Sequence, residues 1–310
     1  VGFYVYFRGF VHGRKCQSDA KLKGKTVIIT GANTGIGKET ALDLASRGAR
    51  VIIACRNIEK GNAAVKDICK TVDKPDLVVK QLDLASFASI KKFSEDILEN
   101  ERHIHILINN AGLAGCNWSE TEDGFETQFG VNHLGHFLLT NLLLDRIKES
   151  APARIVNVSS IAHIFGSIDF NDINLKRSYN PVSAYCRSKL ANILFTRELA
   201  KRLEGTGVNT YCLHPGAVHT NLGQHLDSSM TSFIGRLYES VSRVFFKSPY
   251  KGAQTTIYCA VEETLAFESG YYYSDCSVVQ PSAKARDDQL AKQLWDVSEY
   301  LVAKAMGNTA

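Results

Sequence analysis

The sequence lacks an apolar run long enough to span a membrane, and it carries little excess charge. A membrane-spanning helix needs about 20 apolar residues, whereas the aromatic and apolar stretch at residues 1–11 is short and interrupted by Arg8. The formal net charge is +4 over 310 residues, and the basic residues are scattered. This excludes the concentrated positive surface of a nucleic-acid-binding protein.

The sequence also lacks the cysteine and histidine spacings of a metal site. There are eight cysteines but no Cys-x-x-Cys pair, and most of them lie within apolar runs such as residues 51–55. We therefore expect free, buried thiols in a reducing compartment rather than disulfides. The histidines show no ligand spacing either, so we expect no metal.

Two interpretations of residues 1–22 remain open. Arg14 and Lys15 follow the apolar residues 1–11, as expected on the cytosolic flank of a membrane anchor. The same residues are also compatible with an arm that packs against the domain. We predict an apolar and basic arm at 1–22, which on the first interpretation is the remnant of a membrane anchor, and a catalytic domain at 23–310.

From residue 26 onward, short apolar runs alternate with helical patterns. Strands are predicted at 26–30, 50–55, 77–82, 104–109, 154–159 and 207–213, and one long helix is predicted at 123–149. There is no internal repeat and no break in composition. The pattern predicts an α/β fold with a single Rossmann-type doubly wound parallel sheet and helices on both faces. A ligand should then lie along the carboxyl ends of the strands.

A glycine-rich turn follows the first predicted strand. Gly31, Gly35 and Gly37 form a Gly-x-x-x-Gly-x-Gly pattern that leads into a helical segment. Glycines at this position allow the backbone to approach a pyrophosphate, and the helix amino terminus presents free N–H groups. The turn therefore predicts a dinucleotide site.

The end of the second predicted strand lacks the acid expected of an NAD-binding unit. In such units a carboxylate about 20 residues after the first glycine binds the ribose 2′-hydroxyl. Here the position is occupied by Ala54, Cys55 and Arg56. Arg56, helped by Lys38, would instead bind a 2′-phosphate. The sequence thus favours NADP(H) over NAD, and the alternative is that the two cations are solvated surface residues.

Tyr185 and Lys189 are four residues apart in a segment with helical periodicity, so their side chains share one helix face. A tyrosine phenol has a pKa near ~10, and a nearby ammonium favours the phenolate and lowers that pKa. The pair is therefore a candidate general acid and base. Taken alone, this spacing occurs by chance in many proteins.

These features together resemble the short-chain dehydrogenase/reductase family. The matching strings begin near Lys23 and include TGANTGIG at 30–37, NNAG at 109–112, Asn132, Ser160, Tyr185-x-x-x-Lys189 and Pro215-Gly216. Longer strings, such as GVNHLGHFLLT and AYCRSKLANILFTRELAKRL, are similar to the NADP(H)-dependent retinol dehydrogenase subgroup. That subgroup shares the long separation of Ser160 and Tyr185.

The resemblance implies a role for each candidate residue. Tyr185 would exchange the proton with the substrate oxygen, Ser160 would hydrogen-bond that oxygen, and Lys189 would hold the nicotinamide ribose. Asn132 would hold a water in a proton relay, and Thr220 would contact the carboxamide. The implied NADP(H)-binding residues are Gly31, Asn33, Thr34, Gly35, Ile36, Gly37, Lys38, Arg56, Asp83, Asn110, Ala111, Gly112, Tyr185, Lys189, Pro215, Gly216 and Thr220.

The implied activity is hydride transfer between NADP(H) and a lipophilic alcohol or aldehyde, most simply retinol and retinal. Apolar residues at near-helical spacing in 233–246 fit a lid over a lipophilic pocket or a membrane-facing helix, and equally fit a helix packed on the core. There are two alternatives. The first is a reductase of steroid ketones or lipid-derived aldehydes, and the second is a non-catalytic nucleotide-binding sensor or scaffold. The subgroup further implies an endoplasmic reticulum membrane with the catalytic domain facing the cytosol.

Overall fold

A computed structural model describes residues 13–218 and 247–307. Eight strands form one sheet: β1 Thr26–Thr30, β2 Arg50–Cys55, β3 Leu77–Gln81, β4 Ile106–Asn109, β5 Ala153–Val158, β6 Val208–His214, β7 Tyr272–Ser274 and β8 Ser277–Val278. The main helices are α1 Gly35–Ser46, α2 Ile58–Ile68, α3 Phe87–Asn100, α4 Gly135–Glu149, α5 Pro181–Arg202, α6 Pro249–Val261 and α7 Asp288–Ala305. The predicted residue Thr220 and the predicted helical segment 233–246 lie outside the described residues.

The strand order is β3-β2-β1-β4-β5-β6-β7-β8, with β1 to β7 parallel and β8 antiparallel to β7. The order reverses between β1 and β4, which is the position where a doubly wound sheet opens a crevice at its carboxyl edge. The predicted fold class is confirmed, and the six predicted strands are all present.

The sheet is buried on both faces, because successive side chains along each strand point alternately into two apolar clusters. Ile28 points to the cluster formed with α3, α4, α5 and α7, while Val27 and Ile29 point to the cluster formed with α1, α2 and α6. Burial on both sides explains why the strands appear in the sequence as continuous apolar runs.

The predicted helix at 123–149 is wrong in its first part. Helical structure begins at Thr127–Phe129, passes through a π-helical turn at Gly130–Leu134 and continues as α4. The Glu126 carboxylate accepts hydrogen bonds from the N–H groups of Gln128 and Phe129. This capping sets the start of the helix, which the apolar periodicity of the sequence could not locate.

Residues 13–22 contain no helix or strand and pack against the domain. Arg14 Nη1 donates to Ser277 Oγ at 2.8 Å, and the Cys16 N–H donates to Gln254 Oε1 at 3.1 Å. No helix within 13–218 or 247–307 combines the length and the apolar character needed to cross a bilayer. All eight cysteines are free thiols, and five of them are buried.

The turn between β1 and α1 has no room for a side chain at Gly37. A Cβ placed there would lie 2.5 Å from Gly31 O and 2.6 Å from Asn110 Nδ2. We therefore expect Gly37→Ala to lower the free energy of unfolding by about 1–3 kcal/mol, because backbone atoms must move apart. Urea unfolding followed by circular dichroism measures this change.

Gly124→Ala is the control for this experiment. Gly124 has a φ of +80° but no atom within 4 Å of an added Cβ, so it reports backbone strain without a clash. If Gly37→Ala were no more destabilising than Gly124→Ala, the close approach at Gly37 would not be a constraint on the fold.

Candidate active site

The carboxyl ends of β1 and β4 are joined through the Thr30 side chain. Thr30 Oγ1 accepts the N–H groups of Asn110 and Ala111, both at 2.9 Å, and Asn110 Nδ2 donates to Thr30 O at 2.8 Å. Gly31 has a φ of +67°, a conformation that glycine adopts without strain. The glycine-rich turn and the segment after β4 therefore form one backbone surface.

A cleft of about 380 Å³ lies along this surface. Most of the predicted cofactor-binding residues line it, together with residues from the ends of β2, β3 and β5. The predicted residues among its walls are Gly31, Asn33, Thr34, Gly35, Ile36, Gly37, Arg56, Asp83, Asn110, Ala111, Gly112, Tyr185, Lys189 and Pro215. The cleft is thus built at the sheet edge that the strand order predicts.

Four predicted residues of the described chain are not part of the cleft wall: Lys38, Asn132, Ser160 and Gly216. The Lys38 ammonium lies 2.7 Å from Asp67 Oδ2, and the ammonium groups of Lys38 and Lys70 lower the pKa of Asp67 to about 2. Because Lys38 is already paired, its expected help to Arg56 has no support in the geometry.

One end of the cleft is positively charged. Arg56 at the end of β2 and Lys60 in the first turn of α2 both line the cleft and are exposed. Among the described residues of the cleft wall, Asp83 is the only carboxylate. Asp83 Oδ1 accepts the N–H of Ala85 at 2.9 Å, whereas the residue that caps α3 is Ser86, so the capping alternative for Asp83 is wrong. This end of the cleft favours an anionic group.

Tyr185 and Lys189 lie on one face of α5 at the other end of the cleft. The buried Lys189 ammonium donates to the carbonyl oxygen of Val158 at 3.1 Å and lies 5.7 Å from the centre of the Tyr185 ring. Burial lowers the pKa of Lys189 to about 8. The lysine is therefore still largely charged at neutral pH.

The pKa of Tyr185 shifts in the direction opposite to that expected from the sequence. Burial raises it to about 12, and an interaction with the Ser160 hydroxyl opposes that shift. The Lys189 ammonium is directed at the Val158 carbonyl, so it does not offset the desolvation of a phenolate in this geometry. Tyr185 is consequently a neutral phenol that can donate a proton.

The two serines after β5 have different environments. Ser159 is buried, and its hydroxyl donates to the carbonyl oxygen of Lys189 at 2.7 Å. Ser160 is partly exposed, and its Oγ accepts the N–H of Ala162 at 3.2 Å while it interacts with the Tyr185 phenol. Ser159 thus anchors α5, and Ser160 is the serine beside the Tyr185 phenol.

The Asn132 side chain is fully used by the protein. Its Nδ2 donates to Leu113 O and to Ser188 Oγ, both at 2.9 Å, and its Oδ1 accepts the N–H of Leu113 at 2.8 Å. These bonds position the segment that follows Gly112. The Asn132 carbonyl lies in the π-helical turn, where it contacts His136 Nδ1 at 3.1 Å.

The sequence interpretation missed Lys60 and the Thr30 contacts. Lys60 could have been found because it lies in the first turn of the helix that follows Arg56, so both residues lie near the same strand end. Thr30 carries no such signal, since a threonine at the end of a strand is unremarkable. Within residues 13–218 and 247–307, no group of three or more His, Cys, Asp or Glu side chains could hold a metal ion.

Comparison with known proteins agrees with this geometry. Residues 25–231 match the family model of the short chain dehydrogenases. Human retinol dehydrogenase 11 is 53% identical over 283 residues, covering 91% of this chain and 87% of that protein. Human retinol dehydrogenase 12 is 53% identical over 291 residues, covering 94% of this chain and 90% of that protein.

The fold also matches a solved structure. An uncharacterised protein from Mycobacterium paratuberculosis is 35% identical in sequence and superposes with a TM-score of 0.75. The match covers 94% of this chain and 97% of that protein. Three observations point to the same family: the match to the family model, the identities to the two human proteins and the residues gathered at the cleft. This chain belongs to the short-chain dehydrogenase family and is an oxidoreductase of its retinol dehydrogenase subgroup.

Proposed function

We propose that this protein transfers a hydride between NADP(H) and a lipophilic alcohol or aldehyde, with retinol and retinal as the substrate pair. The observation that carries the proposal is the composition of the cleft, which has a basic end and a proton-donating end. Arg56 and Lys60 lie at the first end, and Tyr185 and Lys189 lie at the second. The two human relatives are named for retinol.

The cleft residues fit a dinucleotide. The glycine-rich turn lines the cleft, and a pyrophosphate bound there would meet the backbone N–H groups at the start of α1. Arg56 makes no hydrogen bond or ion pair with the described residues, so its guanidinium is available for a 2′-phosphate. Gly112 borders Lys189, whose ammonium would lie 3.4 Å from a Cβ at that position. Residues 23–310 would form the catalytic domain.

The chemistry of the chain's own residues follows from their protonation. In the reduction direction, neutral Tyr185 donates its phenolic proton to the substrate oxygen while the Ser160 hydroxyl hydrogen-bonds the same atom. The Lys189 ammonium, which donates to the Val158 carbonyl in this geometry, would hold the nicotinamide ribose. Reduced nicotinamide, when bound, supplies the hydride to the carbonyl carbon. We propose reduction as the favoured direction, because cells keep the NADP pool reduced.

We also propose membrane association through residues 1–22, at the endoplasmic reticulum with the catalytic domain in the cytosol. The apolar and aromatic residues 1–11 and the exposed cations Arg14 and Lys15 support this proposal.

The substrate assignment is tested with purified protein and NADPH. We expect all-trans-retinal to have a higher kcat/KM than a steroid ketone or a medium-chain aldehyde. Tyr185→Phe is the control, and we expect it to lose at least 100-fold in kcat while it binds NADPH as tightly as the wild type. A higher kcat/KM for the steroid ketone or the medium-chain aldehyde would contradict the retinoid proposal. Undiminished turnover by Tyr185→Phe would contradict the role of Tyr185 as proton donor.

The cofactor preference is tested by reversing the charge at Arg56. A charge-assisted hydrogen bond contributes about 1.5–3 kcal/mol, so we expect Arg56→Asp to lower the ratio of kcat/KM for NADPH over NADH by roughly 10- to 100-fold. Lys66→Asp is the matched control, because Lys66 is an exposed cation on α2 that does not line the cleft. Equal ratios in the two variants would remove Arg56 from the cofactor site.

The pKa of Lys189 predicts a loss of activity at alkaline pH. Because the pKa of this lysine is lowered to about 8, the ammonium is present below pH 8 and lost above it. We expect kcat/KM for NADPH, which reports on the free enzyme, to be level below that pH and to fall as the pH rises beyond it. Lys189→Arg retains its charge, so its residual activity should not fall near pH 8. A level wild-type profile up to pH 9.5 would contradict the role of this charge.

A further inference from the structure

A buried histidine that the mechanism does not use lies immediately beyond Ser160. His163 is 1% exposed and belongs to the 3₁₀-helical segment Ile161–Phe165. Its Nδ1 lies 2.8 Å from the carbonyl oxygen of Ser160, and its Nε2 lies 3.1 Å from the backbone nitrogen of Ser282. The ring also contacts the Tyr272 ring edge-on, with 5.1 Å between the ring centres.

These partners determine which nitrogen of His163 carries the proton. A backbone N–H can only donate, so Nε2 must accept the hydrogen bond from Ser282. A carbonyl oxygen can only accept, so Nδ1 must carry the proton and donate it to Ser160 O. Burial lowers the pKa of His163 and so favours the neutral ring that this arrangement requires.

The same contacts orient the Ser160 side chain. The carbonyl oxygen of Ser160 accepts both the Nδ1–H and the backbone N–H of His163, the latter at 3.1 Å, which uses both of its lone pairs. Ser160 Oγ accepts the N–H of Ala162. The Ser160 hydroxyl proton therefore stays free to be donated on the side where the Tyr185 phenol lies.

We propose that His163 is a positioning residue for the proposed reaction. Its Nδ1–H fixes the backbone of Ser160, while its Nε2 ties this backbone to the segment that contains Ser282. That segment is held to the same place by Lys284, whose ammonium donates to the carbonyl oxygen of Gly166 at 3.2 Å. The C-terminal part of the chain thereby sets the position of the serine hydroxyl through one imidazole. The inference rests on the proposed function, because it concerns the rate of that reaction.

Two substitutions separate the two hydrogen bonds of the ring. His163→Asn places an amide N–H near the Nδ1 position and loses the partner of Ser282, whereas His163→Gln places an amide oxygen near the Nε2 position and loses the donor to Ser160. We expect His163→Gln to lower kcat about tenfold with little change in KM for NADPH. We expect His163→Asn to stay within about threefold of the wild-type kcat.

Each His163 variant loses one hydrogen bond, so we expect the two melting temperatures to fall by similar amounts. A difference in kcat between the two variants would then not be explained by their stability. Ser282→Ala is a further control that keeps the backbone N–H and removes only the hydroxyl, and we expect it to match the wild type. Equal kcat values in His163→Asn and His163→Gln would overturn the proposal.

A second readout does not depend on turnover. In long-range proton–nitrogen spectra of protein with ¹⁵N-labelled histidine, the resonances lost in both His163 variants identify the ring of His163. We expect that ring to carry its proton on Nδ1, and a proton on Nε2 would overturn the proposal. If the wild-type protein turned over none of the three substrates, the proposed function would fail, while the spectra would still decide the state of His163.

Discussion

The hydrogen bonds of one hydroxyl group, that of Thr30, hold the site together. The Asn132 carbonyl can only accept, so His136 Nδ1 carries a proton and the other ring nitrogen accepts the hydroxyl proton of Thr30, at 2.9 Å. Both lone pairs of Thr30 Oγ1 are then free for the N–H groups of Asn110 and Ala111. Burial lowers the pKa of His136 to about 4, which keeps the ring neutral. The glycine turn, the floor of the cleft and the helix of Asn132 are joined at this point.

Burial also decides the protonation of the proposed catalytic pair. It favours the neutral form of both groups, which lowers the pKa of Lys189 and raises that of Tyr185. The phenol thus holds its proton until the substrate oxygen is present. A buried cation next to a neutral phenol costs desolvation energy. The structure reduces that cost with the hydrogen bond from Lys189 to the Val158 carbonyl.

Arg187 of α5 joins the long segment between Ser160 and Tyr185 to a buried ion pair with Glu126. Arg187 Nη2 lies 3.1 Å from Glu126 Oε2, and the two side chains are 2% and 0% exposed. The other terminal nitrogen of Arg187 donates to the carbonyl oxygen of Ile173 at 2.5 Å, and the guanidinium lies 4.8 Å from the centre of the Phe129 ring. Removing Glu126 would leave a buried charge unpaired. The ion pair therefore keeps the Arg187 guanidinium where it binds the Ile173 carbonyl of that segment.

The local pattern of the sequence was sufficient to predict the sheet, the glycine turn and the residues at the strand ends. The reason is that strand period, glycine spacing and helix spacing are properties of neighbouring residues. Only the tertiary structure decided the pairing of Lys38 with Asp67, the direction of the Tyr185 pKa shift and the contacts of His163 with Ser282. Each of these depends on groups that are distant in the chain or on desolvation. A linear pattern contains neither, since burial and long-range hydrogen bonds exist only once the chain has packed.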